Sequence, residues 1–305
     1  MSSIAVRAPA KINLFLAVDA PGADGYHNLT TVFLALSVFD TVTVSSVEAG
    51  AGLRLTVTGT DTAAVPVDST NLAWRAAVLL AQRTGIDADA SITIDKQIPV
   101  AAGLAGGSAD AAATLVALDG LWGTAMDRDQ LGELAAELGS DVPFALHGGV
   151  AFGAGRGDRL SSVLTRGRTD WVLGIARTGL STPTVYAELD RLRAQRHVPG
   201  AADPAGVLTA LRQDDAELLG RGLANDLAVA ALSLRPDLRR AVRAGAEAGA
   251  LGQMISGSGP TVAYLARDPE HAITVAARLS AEGLFAGVRV ASGPAPGPRL
   301  PRSAR

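Results

Sequence analysis

The chain has no cysteine among its 305 residues, and only 4% of its residues are aromatic. The absence of cysteine excludes disulfides, thiol nucleophiles, iron–sulfur clusters and cysteine-ligated zinc. No apolar run approaches the roughly 20 residues that a membrane-spanning helix needs. Residues 1–7 lack the charged start and apolar run of a secretory signal, which predicts a cytoplasmic protein. The formal net charge of −3 gives no overall positive field, so we expect a small charged ligand and neither nucleic acid nor membrane as partner.

Lysine is also scarce. Of the 27 basic residues, only Lys11 and Lys96 are lysines. An ammonium is a compact charge whose pKa responds to its surroundings, whereas a guanidinium is broad, forked and always charged. Because the chain uses arginine almost everywhere else, the two lysines are candidates for roles that arginine does not fill.

Apolar residues and small residues are abundant in the chain. Apolar residues make up 48% of the chain and charged residues 19%, a balance that excludes disorder for most of its length. A glycine-rich stretch near residues 148–157 predicts a boundary between two domains, at residues 1–155 and 156–292. The tail at residues 293–305 carries four prolines and no core pattern, which predicts disorder.

Periodicity and turn residues predict strands and helices in both halves. Strands are predicted at residues 4–19 (a pair around Pro9), 31–47, 53–58, 91–95, 171–176, 254–265 (two around a turn) and 285–291. Helices are predicted at residues 71–82, 108–121, 130–138, 183–196, 204–249 (several) and 269–282. With a mostly antiparallel N-terminal sheet, the fold class is α+β.

A glycine-rich turn at residues 99–107 lies between a predicted strand and a predicted helix. Backbone N–H groups and the helix dipole converge on an anion at such a place, and glycine allows a phosphate to approach closely. Gly103, Gly106, Gly107 and Ser108 are the candidate phosphate ligands. No Lys-Ser/Thr follows the last glycine, so this is not a Walker A loop, and it does not match the GxGxxG dinucleotide fingerprint. Close packing of the helix is the alternative.

Two further glycine-rich segments are interpreted differently. Residues 256–261 join two apolar strands, either as a plain hairpin turn or as a second part of the ligand site. Residues 153–157 are interpreted as a structural connection only.

Five segments, taken in order, resemble the motifs of the GHMP kinase superfamily. They are residues 8–14 (APAKINL), 24–27 (DGYH), 99–113, 138–144 (LGSDVPF) and 256–261 (SGSGPT). The resemblance implies a domain similar to domain 2 of ribosomal protein S5, followed by a ferredoxin-like domain, with the active site in the cleft between them. It implies a kinase that transfers the terminal phosphoryl group of ATP to a hydroxyl of a small molecule bearing a cytidine diphosphate.

The resemblance also assigns residues to ATP. The adenosine side is assigned to Asn71 and Lys96, although Asn71 could equally cap the following helix. The phosphate loop comprises Pro99, Val100, Ala101, Ala102, Gly103, Leu104, Ala105, Gly106, Gly107, Ser108 and Ala109. Glycine is commoner in the family where this chain has Ala101, Ala102 and Ala105, so a positive φ at any of them would be costly. ATP implies Mg²⁺, whose ligands stay open, with Ser108 and Asp110 the nearest candidates.

The remaining site residues concern chemistry and substrate. Family resemblance makes Asp141 the base that takes the hydroxyl proton, and Lys11 the cation beside it. The alternatives are that Asp141 caps the helix that follows and that Lys11 forms a structural ion pair. Substrate contacts are assigned to Asn13, near the hydroxyls, to Tyr26 and Tyr186, on the two faces of the cytosine, to His27, at its polar edge, and to Thr182. Core packing is the alternative for Tyr186, and Asn225 with Asp226 is assigned to support of the fold.

Two other functions compete with this one. A different GHMP kinase, acting on homoserine or a mevalonate derivative, would have no base to stack between Tyr26 and Tyr186. A non-catalytic nucleotide-binding regulator on the same fold would have no need of both Lys11 and Asp141. A monomer or a weak homodimer is expected.

Overall fold

The computed structural model describes residues 2–23, 25–60, 62–195, 198–201 and 203–301. Asp24 of the DGYH segment, Arg196 of the helix predicted at 183–196 and residues 302–305 of the tail lie outside this part. The first half contains, in order, β1 (Ser3–Pro21), β2 (His27–Ser45), β3 (Leu53–Gly59), a 3₁₀ turn (Thr62–Ala64), α1 (Leu72–Thr84), β4 (Ala90–Lys96), α2 (Gly106–Trp122), α3 (Arg128–Leu138), α4 (Val142–His147), β5 (Val150–Ala154) and β6 (Arg159–Ser162). The second half contains β7 (Thr169–Ile175), α5 (Thr182–Gln195), α6 (Ala205–Gln213), α7 (Ala216–Gly222), β8 (Ala224–Asn225), α8 (Ala228–Leu234), α9 (Leu238–Ala248), β9 (Gly252–Ile255), β10 (Val262–Ala266), α10 (Pro269–Ala281) and β11 (Gly287–Gly293).

Two long antiparallel strands, β1 and β2, form the centre of the first sheet. β4 and then β3 lie beyond β2 on one side, while β8 runs parallel to the end of β1 on the other. β1 is one continuous strand, so the predicted strand pair around Pro9 is wrong. The register shifts between Pro9 and Ala10. Proline has no N–H for a ladder hydrogen bond, and a bulge tolerates it without ending the strand.

Helices α1 to α4 pack against this sheet and bury its apolar residues. α2 is buried on almost all sides over residues 109–118, because alanines let its backbone approach the sheet, α1 and α4 closely. Its neighbour α3 is amphipathic, begins with a capping box at Asp127 and buries Leu131, Leu134 and Leu138. In the part of the chain that the structure describes, no helix combines the length and apolar character needed to cross a membrane.

The second domain is a four-stranded antiparallel sheet in the order β11-β7-β10-β9, with α9 and α10 packed on it. The two domains together confirm the predicted α+β class. The boundary predicted between residues 155 and 156 falls inside the β5–β6 hairpin, which belongs to the first sheet, so that sheet continues to Ser162.

The C-terminal segment, residues 293–301, lies on the first domain. Ala295 donates its N–H to the carbonyl of Ala35 (2.9 Å) and accepts the N–H of Gly149 (2.7 Å). A Cβ added at Gly120 would lie in contact with Leu300, which places that leucine against α2. The predicted disorder is therefore wrong for residues 293–301. The prolines do not disrupt this segment, because an extended strap needs few backbone donors of its own.

Candidate active site

A cavity of about 1030 Å³ opens between the two domains. Its walls come from β1, the turn before β2, the phosphate loop, the start of α4 and the first turns of α5. Of the residues predicted from the sequence, those on its wall are Lys11, Asn13, Tyr26, His27, Asn71, Lys96, residues 99–107, Asp110, Asp141, Thr182 and Tyr186. Ser108 and Ala109 are not among the lining residues. One cavity therefore collects residues from segments that are far apart in the sequence.

The phosphate loop ends at the N-terminus of α2, which has no side-chain cap. Its N-cap residue is Ala105, whose methyl group accepts no hydrogen bond. The first N–H groups of a helix have no partner within the helix, so those at Gly106 and Gly107 face the cavity without a competing side-chain oxygen. Together with the helix dipole, they make this end of α2 suited to an anion such as a phosphate.

Both domains hold the loop in place. Ser256 donates its hydroxyl to the carbonyl of Gly103 (3.0 Å), and the N–H of Lys11 donates to the carbonyl of Leu104 (3.1 Å). Gly103 has φ +77°, and a Cβ there would overlap the backbone of the 256–261 turn. That turn is therefore part of the site and not a plain hairpin turn. A Cβ at Gly257 would lie 3.3 Å from the Lys11 ammonium, so the turn also reaches the catalytic candidates.

Lys11 and Asp141 meet on the wall of the cavity. The Nζ of Lys11 lies 3.5 Å from the Oδ2 of Asp141 and donates to the Oδ1 of Asn13 (2.8 Å). Asn13 in turn donates to the hydroxyl of Thr31 (2.8 Å), so the acceptor that positions the ammonium is itself fixed by a hydrogen bond. Asp141 occupies the N-cap position of α4 but makes no side-chain cap hydrogen bond, so the capping alternative is wrong. Its carboxylate, 34% exposed, is open to the cavity.

An aromatic wall faces this pair. The rings of His27 and Tyr186 lie 5.0 Å apart at 48° to each other. Burial and the negative charge of Asp141 raise the pKa of the Tyr186 phenol, so Tyr186 stays a neutral donor near the catalytic candidates. Tyr26 lines the same cavity and is 58% exposed, with the guanidinium of Arg156 5.3 Å from its ring centre. Thr182 shares a hydrogen bond with Ser258 of the second glycine turn (2.9 Å).

A buried ion cluster lies beneath the phosphate loop. The Lys96 ammonium bonds to Asp40 and to the Oδ2 of Asp110 (2.7 Å). Asp40 also accepts the N–H groups of Gln97 (2.6 Å) and Ile98 (2.7 Å), the residues that lead into the loop. Burial alone would lower the pKa of Lys96, but the carboxylates of Asp110 and Asp40 outweigh it and raise that pKa. With its charge engaged in this way, Lys96 is better suited to holding the loop than to contacting adenosine.

Asn71 caps α1 and also lines the cavity. Its Oδ1 accepts the N–H of Ala73 (2.8 Å), which confirms that it caps α1. Its Nδ2 donates to the carbonyl of Pro66 (2.7 Å), and the residue lines the cavity. Contact with adenosine stays a prediction.

Comparison with known proteins agrees with this geometry. Two family models match, "GHMP kinases N terminal domain" over residues 71–149 and "GHMP kinases C terminal" over residues 207–283. The 4-diphosphocytidyl-2-C-methyl-D-erythritol kinase of Rhodococcus jostii is 54% identical over 97% of this chain and 94% of that protein. The chain belongs to the 4-diphosphocytidyl-2-C-methyl-D-erythritol kinases, within the GHMP kinase family. It is therefore an enzyme that phosphorylates an alcohol.

Further relatives fit this GHMP kinase assignment. The Mycobacterium tuberculosis protein with the same name is 52% identical over 98% of this chain and 93% of its own. A crystal structure of 4-(cytidine 5'-diphospho)-2C-methyl-D-erythritol kinase superposes with a TM-score of 0.77 at 33% identity, covering 95% of this chain and 98% of that one. A homoserine kinase structure from Cytophaga hutchinsonii has the same TM-score at 22% identity over 99% and 98% of the two chains, a likeness of fold alone.

Two alanines of the kinase's phosphate loop adopt the conformation that the sequence flagged as costly. Ala101 has φ +51° and Ala105 has φ +57°, both left-handed, whereas Ala102 does not. A left-handed conformation costs an L-residue about 1–2 kcal/mol relative to the right-handed one. The loop therefore keeps a shape suited to glycine while carrying methyl groups.

Replacing the strained alanine by glycine should stabilise the kinase or leave it unchanged. Ala105→Gly relieves the strain but adds freedom to the unfolded chain, for a net gain of about 0–1 kcal/mol. Ala102→Gly is the control, because Ala102 is buried and has an ordinary φ. It should destabilise by about 1–2 kcal/mol through lost packing and added chain freedom. Urea denaturation measures both, and equal losses would contradict the strain argument.

The buried cluster of the kinase also predicts a dependence of stability on pH. Burial raises the pKa of Asp110 from 3.8 to about 7, the charge of Asp40 adding to this rise and Lys96 opposing it. Because the folded state binds this proton more tightly than the unfolded chain, its contribution to stability is complete below about pH 4 and is lost as the pH rises through about 7. At about 1.4 kcal/mol per pKa unit, the loss amounts to as much as about 4 kcal/mol. Unfolding free energies of the native chain and Asp110→Asn, compared at pH 5 and pH 8, should show the decline in the native chain only.

Sequence reasoning missed three residues of the kinase site. Asp190 accepts a hydrogen bond from His27, Asp40 holds Lys96, and Arg156 lies on the cavity wall in the loop interpreted as a connection only. Asp190 is 163 residues from its partner. No local pattern signals such a pairing. Arg156 could have been found, because an arginine between two glycines is an unusual residue for a plain turn.

Proposed function

We propose that this kinase transfers the terminal phosphoryl group of ATP to the 2-hydroxyl of 4-diphosphocytidyl-2-C-methyl-D-erythritol, a step of the non-mevalonate route to isoprenoid precursors. The relatives at 52–54% identity carry that name over nearly their whole length. The observation that carries the proposal is the position of the Lys11–Asp141 pair, between the phosphate loop and the aromatic wall of one cavity.

The chain's own groups perform the chemistry as follows. Asp141 accepts the hydroxyl proton as the oxygen attacks the terminal phosphorus, and ADP leaves. Lys11, held by Asn13, offsets the negative charge that gathers between the carboxylate and the phosphoryl group. The N–H groups at the start of α2 hold the phosphates. ATP supplies the phosphoryl group.

Substrate choice belongs to the aromatic wall. A cytosine ring fits against Tyr186 and Tyr26, whose flat faces stack on a base, and His27 offers a ring nitrogen to its polar edge. Stacking of a base on an aromatic side chain is worth about 1–3 kcal/mol. Homoserine and mevalonate derivatives have no base and would gain nothing from these side chains.

The described residues contain no cluster of side chains that would hold Mg²⁺ by themselves. No group of three or more His, Asp or Glu residues suited to a metal occurs among them. Ser108 is not on the cavity wall. Asp110 is on the wall; its Oδ2 is engaged by Lys96, and its Oδ1 has no hydrogen-bond partner among the described residues. Mg²⁺ commonly keeps several waters and binds through substrate phosphates. We infer that any Mg²⁺ enters with ATP, and no step above depends on a protein-bound metal.

The test is an assay of ADP release with three acceptors side by side, the cytidyl substrate, mevalonate and homoserine. We expect turnover with the cytidyl substrate alone. Turnover only with mevalonate or homoserine would overturn the substrate, and absence of turnover with all three would favour a regulator. The cytoplasmic location, the absence of a nucleic-acid partner and the monomer or weak homodimer stay predictions from the sequence.

A further inference from the structure

His27 and Asp190 form a hydrogen-bonded pair on the wall of the cavity, and the proposed function gives Asp190 no role. The Nε2 of His27 lies 2.9 Å from the Oδ1 and 3.2 Å from the Oδ2 of Asp190. The His27 side chain is only 9% exposed and comes from the start of β2, whereas Asp190 comes from α5. The pair therefore joins the two domains at the point where a base would lie.

This contact fixes which ring nitrogen carries the hydrogen. A carboxylate only accepts hydrogen bonds, so the Nε2 of His27 is the donor. In a neutral imidazole the other nitrogen, Nδ1, is then an acceptor. Among the residues that the structure describes, Nδ1 has no hydrogen-bond partner. An oriented acceptor thus lies on the wall with its capacity unused.

Tyr186 fixes the same ring from another side. Its ring centre lies 5.0 Å from that of His27, and it is itself half-buried. The imidazole is therefore held by a hydrogen bond at one edge and by contact with the tilted ring of Tyr186. A ring held at two places presents Nδ1 in one direction, which is what discrimination between similar ligands requires.

Cytosine and uracil differ at the groups that such an acceptor reads. Cytosine carries an amino group at position 4, a donor, whereas uracil carries an oxygen at position 4, an acceptor. An acceptor at Nδ1 complements the amino group and leaves the uracil oxygen facing another lone pair. Unpaired polar groups in a partly buried site are costly, so the difference becomes selectivity.

We propose that Asp190 is a positioning residue that fixes the tautomer of His27, and that it thereby makes the site select cytosine over uracil. The inference rests on the proposed function, because it supposes that a pyrimidine nucleotide occupies the cavity beside His27. It assigns specificity to a residue that touches no substrate itself.

Kinetics give the first test. In Asp190→Asn, the side-chain amide presents either a donor or an acceptor to Nε2, so the tautomer is no longer fixed. We expect KM for the cytidyl substrate to rise roughly 10-fold with kcat little changed, and the preference over the uridyl analogue to fall roughly 10- to 100-fold. Glu188→Gln is the matched control on the same helix, since Glu188 bonds to Arg191 and Ser233 and not to His27. Equal changes for both bases would overturn the inference.

Nitrogen NMR of the histidine rings reports which ring nitrogen of His27 carries the hydrogen. A purely structural role of Asp190 would not change this tautomer. The chain has only four histidines, and the His27 signals are assigned by their loss in His27→Gln. We expect a protonated Nε2 and a bare Nδ1 in the native chain and a mixture in Asp190→Asn. A protonated Nδ1 in the native chain would overturn the inference.

Binding of cytidine diphosphate and uridine diphosphate by calorimetry separates this inference from the proposed function. If no acceptor is phosphorylated but cytidine diphosphate still binds more tightly in an Asp190-dependent way, the kinase proposal fails and the recognition stands. If turnover is normal while the preference is unchanged in Asp190→Asn, the inference fails alone.

Discussion

Asp141→Asn should lower turnover by about 10²- to 10⁴-fold while leaving the kinase folded and able to bind ATP. An amide has no basic oxygen that can take the hydroxyl proton, and a general base contributes about 10²- to 10⁴-fold to the rate. We expect kcat to fall by that factor with little change in KM for ATP, because the phosphate loop lies on another element. Steady-state ADP release measures kcat, and thermal denaturation measures the fold.

The capping aspartate of the neighbouring helix provides the control. Asp127 accepts the N–H of Gln130 at the start of α3, whereas Asp141 makes no side-chain cap bond. Asp127→Ala should therefore lower stability by about 1 kcal/mol and spare kcat. If Asp141→Asn instead unfolded the chain and Asp127→Ala did not, the assignment of Asp141 as base would lose its structural support.

Lys96→Met should be the most destabilising single change in the site. It would leave the carboxyl groups of Asp40 and Asp110 buried without their cation, although both are nearly inaccessible to water. Removing one partner of a buried ion pair costs about 3–5 kcal/mol. Urea denaturation, followed by tryptophan fluorescence, measures the loss.

Arg83→Met is the matched control for Lys96→Met. Arg83 pairs with Glu137 and Glu133 on the surface, where its side chain is 39% exposed. Exposed pairs contribute about 0–1 kcal/mol because water and salt screen them. Similar losses of unfolding free energy in the two variants would show that the buried cluster contributes no more to stability than an exposed ion pair. In Lys96→Met we also expect KM for ATP to rise, because Asp40 and Lys96 hold the entry to the phosphate loop.

The sequence contained most of the site because its residues lie in short, distinctive segments. APAKINL placed Lys11 and Asn13, LGSDVPF placed Asp141, and the glycine turn placed the start of α2. The sequence also identified Ala101 and Ala105 as positions where a left-handed conformation would be costly, but it did not predict that they adopt it. Such information is local, and periodicity or a motif carries it without knowledge of the fold.

What the sequence did not contain was long-range pairing. Asp190 contacts His27 across 163 residues, and Asp40 contacts Lys96 across 56 residues. The local sequence around a carboxylate on a helix or strand does not indicate such a distant partner. The prediction of a disordered tail was wrong for a related reason. Its prolines and polar residues resemble a disordered segment, but the groove formed by Ala35, Gly149 and α2 exists only once the first domain has folded.

The strap at residues 293–301 bears on how the chain folds during synthesis. It completes the cover of the first domain, yet the ribosome adds it only after the entire second domain has been made. β8, which also emerges late, adds its short edge to β1. Domains made first ordinarily fold first, but here the earlier domain waits for backbone partners from the later one. The two halves should therefore mature together, and a nascent chain that stops at Ser162 would expose an unfinished surface to chaperones.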